Sequence, residues 1–338
     1  MPKTIRNEFY KCLTYEKLLK AHNLSQKGKT SKNEIILFNM KKEENLNWLC
    51  EALKAGTYEH GPYRTFYVNI PRKRKIESAR YIDRIVHRWV VDNFLDKYFM
   101  SEFIYTSYAF VKDKSVKIAV LDVQKAMKCC KKNWDNYYIL KMDILQLFEN
   151  IDRKILLTIL ERKVKDSKLL DLINKIIYST DGEKGLPKGN YISQVFANIY
   201  LNEVDQYVKH TLKCKYYFRY MDDSIVITRT KKEAVEILEE ITEFLEKRLE
   251  LFLNSKTQIM KDAQGVNFCG YNIKEDRIKI KDRDKKSLKL KIKSLEKKIK
   301  EGEISSRDAY KYVAGYMGYI KVADVKKLTE KLFYCGKL

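Results

Sequence analysis

The sequence predicts an α+β fold built on a split βαββαβ sheet, and three observations carry that prediction. Residues 137–143 are a mostly apolar run that ends in Asp143. Residues 216–220 and 224–228 are two β-rich runs flanking Met221-Asp222-Asp223. Residues 231–249 carry Val235, Leu238, Ile241, Leu245 and Leu249 at helical spacing down one side. With strand-like runs at 250–260 and 266–273, the order is strand, helices, two hairpin strands, helix, strand, which is the ferredoxin-like plan. That plan can bring the end of the first strand beside the hairpin tip, and so Asp143 against Asp222 and Asp223.

Composition narrows the partner. The chain has 338 residues, 45% of them hydrophobic, enough for a full core in two or three lobes. Its 68 Lys and Arg against 45 Asp and Glu give a formal net charge of +23, which calls for a polyanion: nucleic acid or an anionic membrane surface. No apolar run approaches the ~18 residues of a membrane span, and residues 1–17 lack the apolar block of a signal peptide. No membrane partner is therefore expected, and nucleic acid is preferred. The cysteines number seven, include no C-x-x-C and do not cluster with the four histidines. A zinc site or a disulfide framework is not expected, and the reducing cytoplasm is the natural compartment.

Taken in order, residues 1–35 read as a basic lead-in, an N-terminal extension. Residues 43–54 read as a helix with Leu46, Leu49 and Leu53 on one face, ending at Gly56. Residues 63–70 alternate as a strand does, and Arg72 and Arg74 follow in a basic cluster that is either a solvated turn or a phosphate grip. Residues 82–99 form an amphipathic helix with Trp89 in the core, and 115–130 return to helical spacing. Asp152 has the position of an N-cap for the helix carrying Ile155, Leu156, Ile159 and Leu160, whereas Asp143 has no helix to cap. Residues 166–178 are a further helix. Residues 185–194 are a turn into a helix reaching about His210, where Gly189 allows close approach and Ser193 is a candidate N-cap. From residue 282, Leu288, Ile292, Leu295 and Ile299 form a packed stripe on a helix whose remaining surface is crowded with lysines, among them Lys289, Lys293 and Lys297. Residues 306–320 and 324–333 complete a small helical lobe.

Adjacent aspartates at a hairpin tip repel one another unless a cation sits there, although a solvated turn is the plainer reading of that dipeptide alone. Three carboxylates at neighbouring strand ends suit hard divalent cations, which prefer oxygen ligands. Two Mg²⁺ ions roughly 4 Å apart can activate a 3′-hydroxyl and stabilise the leaving oxygens of an in-line phosphoryl displacement. With basic segments before and after, the residues by themselves read as a nucleotidyltransferase acting on nucleic acid.

The motifs then resemble a known family. Tyr220-Met221-Asp222-Asp223 resembles the YxDD box of reverse transcriptases, and residues 140–151 resemble their first catalytic motif. Basic fingers, Asp143, the Gly189-to-Ser193 turn, the YMDD hairpin, Lys256 and Phe268-Cys269-Gly270-Tyr271 also follow the family's order, over about residues 35 to 330. Within that family the chain is most similar to bacterial retroelement enzymes of the diversity-generating type. The cues are Leu186-Pro187-x-Gly189-Asn190-x-x-Ser193-Gln194, Pro71-Arg72-x-Arg74-x-Ile76, residues 83–87, residues 107–109 and residues 316–321. Three departures stand out: Lys188 in the nucleotide turn, Arg88 after His87, and Lys112-Asp113-Lys114-Ser115 where Gly-Lys-Gly is expected.

The resemblance implies a right-hand polymerase with fingers over 36–135 (including the first palm elements), the ferredoxin-like palm over 136–281 and a helical thumb over 282–338. It implies that Asp143, Asp222 and Asp223 bind two Mg²⁺, for which Mn²⁺ can substitute. It also places Phe148 at a steric gate against a ribose 2′-hydroxyl, and Arg72 and Arg74 on the triphosphate. Lys188, Gly189 and Gln194 fall in the nucleotide and template pocket, Lys256 beside departing pyrophosphate, and residues 268–271 at the primer grip. Lys289, Lys293 and Lys297 fall on the duplex. Template RNA, the RNA–DNA hybrid, dNTPs and a small basic accessory protein are the implied partners. The implied activity is RNA-dependent DNA synthesis, error-prone because Gln is missing at position 188, in mutagenic retrohoming. A phage-defence reverse transcriptase and a catalytically silent RNA-binding scaffold are the alternatives.

Overall fold

A computed structural model describes residues 4–69, 73–311, 314, 322 and 323. The chain divides into two units. Met1–Tyr105, Ile144–Leu212 and Ile241–Leu253 form the first, and Thr106–Asp143, Lys213–Glu240 and Asn254–Leu338 the second. Among the described residues no helix is long and apolar enough to cross a membrane.

The first unit is mainly helical because its apolar residues recur at helical spacing. The helix Tyr81–Val90 buries Ile85, Val86, Trp89 and Val90, as the sequence predicts for Trp89. The Trp89 indole donates from Nε1 to the Cys12 carbonyl at 2.9 Å, and Phe9 meets its ring edge-on. Residues 5–26 are therefore packed structure, not an arm added to the unit. Ile5, Phe9, Leu18 and Ala21 are buried, and Asp166 Oδ2 accepts from the Glu8 and Phe9 backbone at 2.8 and 2.9 Å. Charge counting missed this because the apolar positions are sparse and scattered among lysines. Strands β1 (Arg64–Val68) and β2 (Arg74–Ser78) make an antiparallel pair with Phe66 opposite Ile76.

Arg153 organises the loop that follows the helix Ser167–Ile177. Its guanidinium is almost wholly buried yet fully engaged. It donates to the carbonyls of Thr180, Asp181, Gly182 and Gly185 and to the Thr180 hydroxyl, at 2.6 to 3.2 Å. Asp152 caps the helix Arg153–Glu161, as the sequence predicts, by accepting from Lys154 and Ile155 at 2.9 Å.

The second unit carries the main sheet. Strands β3 (Tyr138–Asp143), β4 (Tyr216–Tyr220), β5 (Asp223–Thr228) and β6 (Gln258–Lys261) pair antiparallel in the order β4-β5-β3-β6. The first strand thus lies between the third and the fourth, the order a split βαββαβ unit requires. The helix Val116–Trp134 supplies Ala119, Val120, Val123 and Met127 to a core shared with Ile139, Phe218, Ile225 and Ile227.

Two expectations change here. Most of residues 250–257 is irregular, and only Gln258–Lys261 joins the sheet. Residues 266–273 are not one strand but β7 (Val266–Phe268) and β8 (Tyr271–Ile273), which with β9 (Ile278–Ile280) form a separate three-stranded sheet. Cys269 and Gly270 have φ of 48° and 91°, so the chain reverses there, and the alternation of apolar residues conceals that turn. The helix Asp282–Lys300 adds Leu288 and Ile292 to the same core, with Lys289, Lys293 and Lys297 exposed. The expected packing of residues 316–321 and 324–333 lies outside the described residues.

Arg153→Ala should lower unfolding free energy by about 3 kcal/mol, because it orphans several buried carbonyls. Arg153→Lys should recover less than half of that, since one ammonium cannot serve a fork of five acceptors. Urea denaturation of the three proteins provides the comparison.

Candidate active site

The β3–β5 register sets the electrostatics of the second unit. Residues pair one to one along these strands, and the pairing ends with Asp143 directly opposite Asp223. Tyr220 pairs with Asp223 from the other side, which leaves Met221 and Asp222 as the turn. Met221 takes φ of 54°, an unusual value for a side chain of its size. The turn is held from below by Arg219, a buried side chain that donates to the Met221 carbonyl at 3.3 Å and to the Ser107 hydroxyl at 3.1 Å.

Two carboxylates facing each other across a strand pair repel, with Asp222 adding to the field. Lys141, two residues before Asp143 and so on the same face of β3, supplies the nearest opposing charge. Its Nζ lies 3.2 Å from Asp223 Oδ1, donates to Oδ2 at 3.3 Å, and donates to the Asn267 carbonyl at 2.6 Å. Burial nonetheless pushes the Asp223 carboxyl up to about 6, with Lys141 opposing the shift and the charges of Asp143 and Asp222 adding to it. Asp223 Oδ1 is buried without a hydrogen bond.

The three carboxylates do not form a ready-made cage. Among the described residues no group of three or more His, Cys, Asp or Glu side chains is gathered closely enough to hold a metal ion. Like charges keep such a group open, and Lys141 engages one member of it. The donor set still suits a hard cation. It consists entirely of carboxylate oxygen, and one buried oxygen, Asp223 Oδ1, has no hydrogen bond and only the Lys141 ammonium as a counter-charge.

Two other expected site segments lie in this unit. Residues 268–271 form the β7–β8 turn with Phe268 and Tyr271 buried. Burial raises the Cys269 thiol strongly, and the charge of Asp223 adds to that rise, which puts the turn within electrostatic reach of the carboxylates. Lys256 is exposed in the turn after Asn254, whose backbone N–H donates to the Asp143 carbonyl at 2.7 Å. Lys141 is the residue that sequence reasoning passed over. Its signal was available in the period of two that places it on the Asp143 face.

The remaining expected residues belong to the first unit. Phe148 is half-buried in the helix Leu147–Asn150, and its carbonyl accepts from Leu186 at 2.7 Å. Lys188 is ion-paired with Glu149, and its carbonyl accepts from Glu77 at 2.8 Å. Gly189 has φ of 108°, and a Cβ there would stand 2.7 Å from Ile76 Cγ2, so any side chain would strain the backbone and push the Ile76 methyl aside. Asn190, also unassigned from sequence, holds this turn. Its Oδ1 accepts from Ala79 at 3.0 Å and its Nδ2 donates to the Glu77 and Pro187 carbonyls. The helix starts at Tyr191, so Ser193 is a buried first-turn residue and not the N-cap. Gln194 is partly exposed in that first turn, and Arg74 is exposed on β2. Arg72 lies outside the described residues.

Comparison with known proteins gives this geometry a context. Residues 70–273 match the family described as "Reverse transcriptase (RNA-dependent DNA polymerase)". The chain is 23% identical over 330 residues to the "Putative COX1/OXI3 intron 2 protein" of Saccharomyces cerevisiae, covering 76% of this chain and 38% of that protein. It is 23% identical over 306 residues to the "Group II intron-encoded protein LtrA" of Lactococcus lactis, covering 69% of this chain and 50% of that protein. The chain thus spans half or less of the length of these two relatives. Among solved structures, that of apo telomerase from Candida tropicalis superposes with a TM-score of 0.50 at 11% identity, covering 72% of this chain and 53% of that one, a likeness of fold.

The raised Asp223 carboxyl has a consequence for stability. Its folded pKa lies above the unfolded one, so its protonated form favours the fold and that contribution is lost as pH rises from about 4 to about 6. In chelator, Asp223→Asn should therefore gain stability relative to the parent on going from pH 4 to pH 8, by on the order of 2 kcal/mol. Thermal melts at the two pH values check this, and an equal difference at both would contradict it.

Proposed function

This chain belongs to the reverse transcriptase (RNA-dependent DNA polymerase) family, and from that premise we propose that it extends a primer with dNTPs along an RNA template. The observation that carries the proposal is the register that sets Asp143 opposite Asp223, with Asp222 in the adjoining turn. Asp143, Asp222 and Asp223 would hold two divalent cations, Mg²⁺ or Mn²⁺ in its place, which supply activation of the primer 3′-hydroxyl and neutralisation of charge at the transferring phosphate.

The chain's own residues supply position and selection. Phe148 would bar a ribose 2′-hydroxyl and so favour dNTPs. Arg72, Arg74 and Lys256 would take the triphosphate and the departing pyrophosphate, and Lys188, Gly189 and Gln194 would line the nucleotide and template pocket. Residues 268–271 would set the primer end. Lys289, Lys293 and Lys297 present three exposed ammonium groups on one helix, and would follow an RNA–DNA hybrid by its backbone without reading sequence. In domain terms, the first unit's β1–β2 pair and helices would serve as fingers, the β4-β5-β3-β6 sheet as palm, and the helix Asp282–Lys300 as the start of the thumb.

We assign the chain to a diversity-generating retroelement on the Leu186-Pro187-x-Gly189-Asn190-x-x-Ser193-Gln194 motif, with loose base choice following from Lys188 in place of Gln. Such an assignment includes a small basic accessory protein and a cytoplasmic site of action. The phage-defence reading is favoured by the sequence departures at Arg88 and at residues 112–115.

Asp222→Asn and Asp223→Asn should each reduce dNTP incorporation in a primer-extension assay by at least about a hundredfold. Incorporation unaffected by either change would leave the chain an RNA-binding scaffold. Phe148→Ala should raise the use of rNTPs relative to dNTPs by about tenfold with little change in dNTP use, because it removes a steric bar and no ligand. Competition between labelled rNTP and dNTP in the same assay measures the ratio.

A further inference from the structure

The three-stranded sheet of the second unit meets the main sheet through apolar side chains. Val266, Phe268, Tyr271 and Ile273 share a core with Ile139, Ile225 and Ile227. Such burial is non-directional, so the placement of one sheet against the other has to come from polar bonds. Beside the start of β3, Tyr137 donates to Glu275 Oε1 at 2.7 Å and Gln124 donates to the Lys274 carbonyl at 3.1 Å. At the carboxylate end of β3 the bond comes from Lys141.

Lys141 lies on the face of β3 shared with Ile139 and Asp143. Its side chain is 16% exposed, and its shortest contact is with the Asn267 carbonyl, to which Nζ donates at 2.6 Å. The two Asp223 oxygens stand farther off, at 3.2 and 3.3 Å. Strand β7 pairs with β8 alone and is an edge of its sheet, and Lys141 gives its open side a donor at Asn267. One ammonium thus joins β3, β5 and β7. The bond to β7 falls two residues before the reversal at Cys269 and Gly270, whose φ values of 48° and 91° make a tight two-residue turn with Phe268 paired to Tyr271. Fixing Asn267 therefore fixes the tip.

We infer that Lys141 is a positioning residue for the primer end: it ties β7 to the strand end that carries Asp223, and so holds the β7–β8 turn at a set distance from the three carboxylates. The inference rests on the polymerase reading and deepens it, because residues 268–271 are in that reading the segment that sets the primer end. A counter-charge alone would need only the Asp223 contact. The shorter bond goes to a backbone carbonyl, which has no charge to offset, and that bond gives the side chain its second task. Misplacing the attacking oxygen by an ångström costs about a hundredfold in rate, so the distance matters.

Lys141→Met keeps the apolar stem of the side chain and removes both contacts, while Lys141→Arg keeps the charge and a donor. Hydrogen–deuterium exchange of the full chain, in chelator and without nucleic acid, reads the strap directly. In Lys141→Met, residues 266–273 should exchange about fivefold faster, the worth of one hydrogen bond, while the helix Val116–Trp134 keeps the parent rate. In single-nucleotide primer extension at saturating Mg²⁺, the same variant should lose about thirtyfold in kcat with the KM for dNTP within about threefold. Lys141→Arg should restore the parent exchange and most of kcat. Parent exchange at residues 266–273 in Lys141→Met overturns the inference, and so does an equal rise in the helix Val116–Trp134, which would mark a general support of the fold. A kcat that returns to the parent value at saturating Mg²⁺ also overturns it, because bound cations would then replace all that the ammonium supplies. Each of these results leaves the polymerase reading standing, whereas dNTP incorporation that survives Asp222→Asn removes that reading without touching the exchange result.

Discussion

The second unit depends on a repulsion that the fold enforces instead of relieving. One-to-one pairing along β3 and β5 ends with Asp143 facing Asp223, and a slip of one residue would break the matches of Ile139 with Ile227 and of Leu140 with Val226. Burial of Ile139, Ile225 and Ile227 in the core therefore pins two like charges together at the strand ends. Lys141 offsets part of the cost from the same face of β3. The remainder appears as a carboxyl held well above its ordinary range and a buried oxygen without a hydrogen bond. The fold thus brings two of the three carboxylates face to face and keeps them there against their mutual repulsion.

The first unit applies the same principle with backbone groups. The turn before the helix Tyr191–Gln206 has few apolar residues, so hydrogen bonds give it shape. Arg153 collects the carbonyls on one side, Asn190 ties the turn to the backbone of Glu77 and Ala79, and Gly189 lets it lie against Ile76. Beside this turn Arg84 Nε and His87 Nδ1 are buried without a hydrogen bond, exceptions to the rule that buried polar groups are paired.

Much of the sheet was legible in the sequence because its signals are local. The apolar run ending in Asp143, the two β-rich runs around Met221-Asp222-Asp223 and the Asp152 cap each follow from residues a few positions apart. Signals failed where a short irregularity interrupted a regular pattern. The alternation through residues 266–273 hides the reversal at Cys269 and Gly270, and the lysines of the first 35 residues mask apolar positions that pack against Trp89 and Asp166. Ser193 was misplaced because capping is a property of one backbone angle, which residue type only suggests.

By itself the sequence determined the order of the four strands of the main sheet, the basic balance of the chain and the acidic identities at positions 143, 222 and 223. These follow from periodicity, composition and residue chemistry, which require no knowledge of what lies across from what. Only the tertiary structure decided that Asp143 and Asp223 stand opposite each other, that Lys141 is their counter-charge, and that His87 is buried with one ring nitrogen lacking a hydrogen bond. Each of these depends on register or on burial. Those are relations between distant residues, and they exist only once the chain is folded.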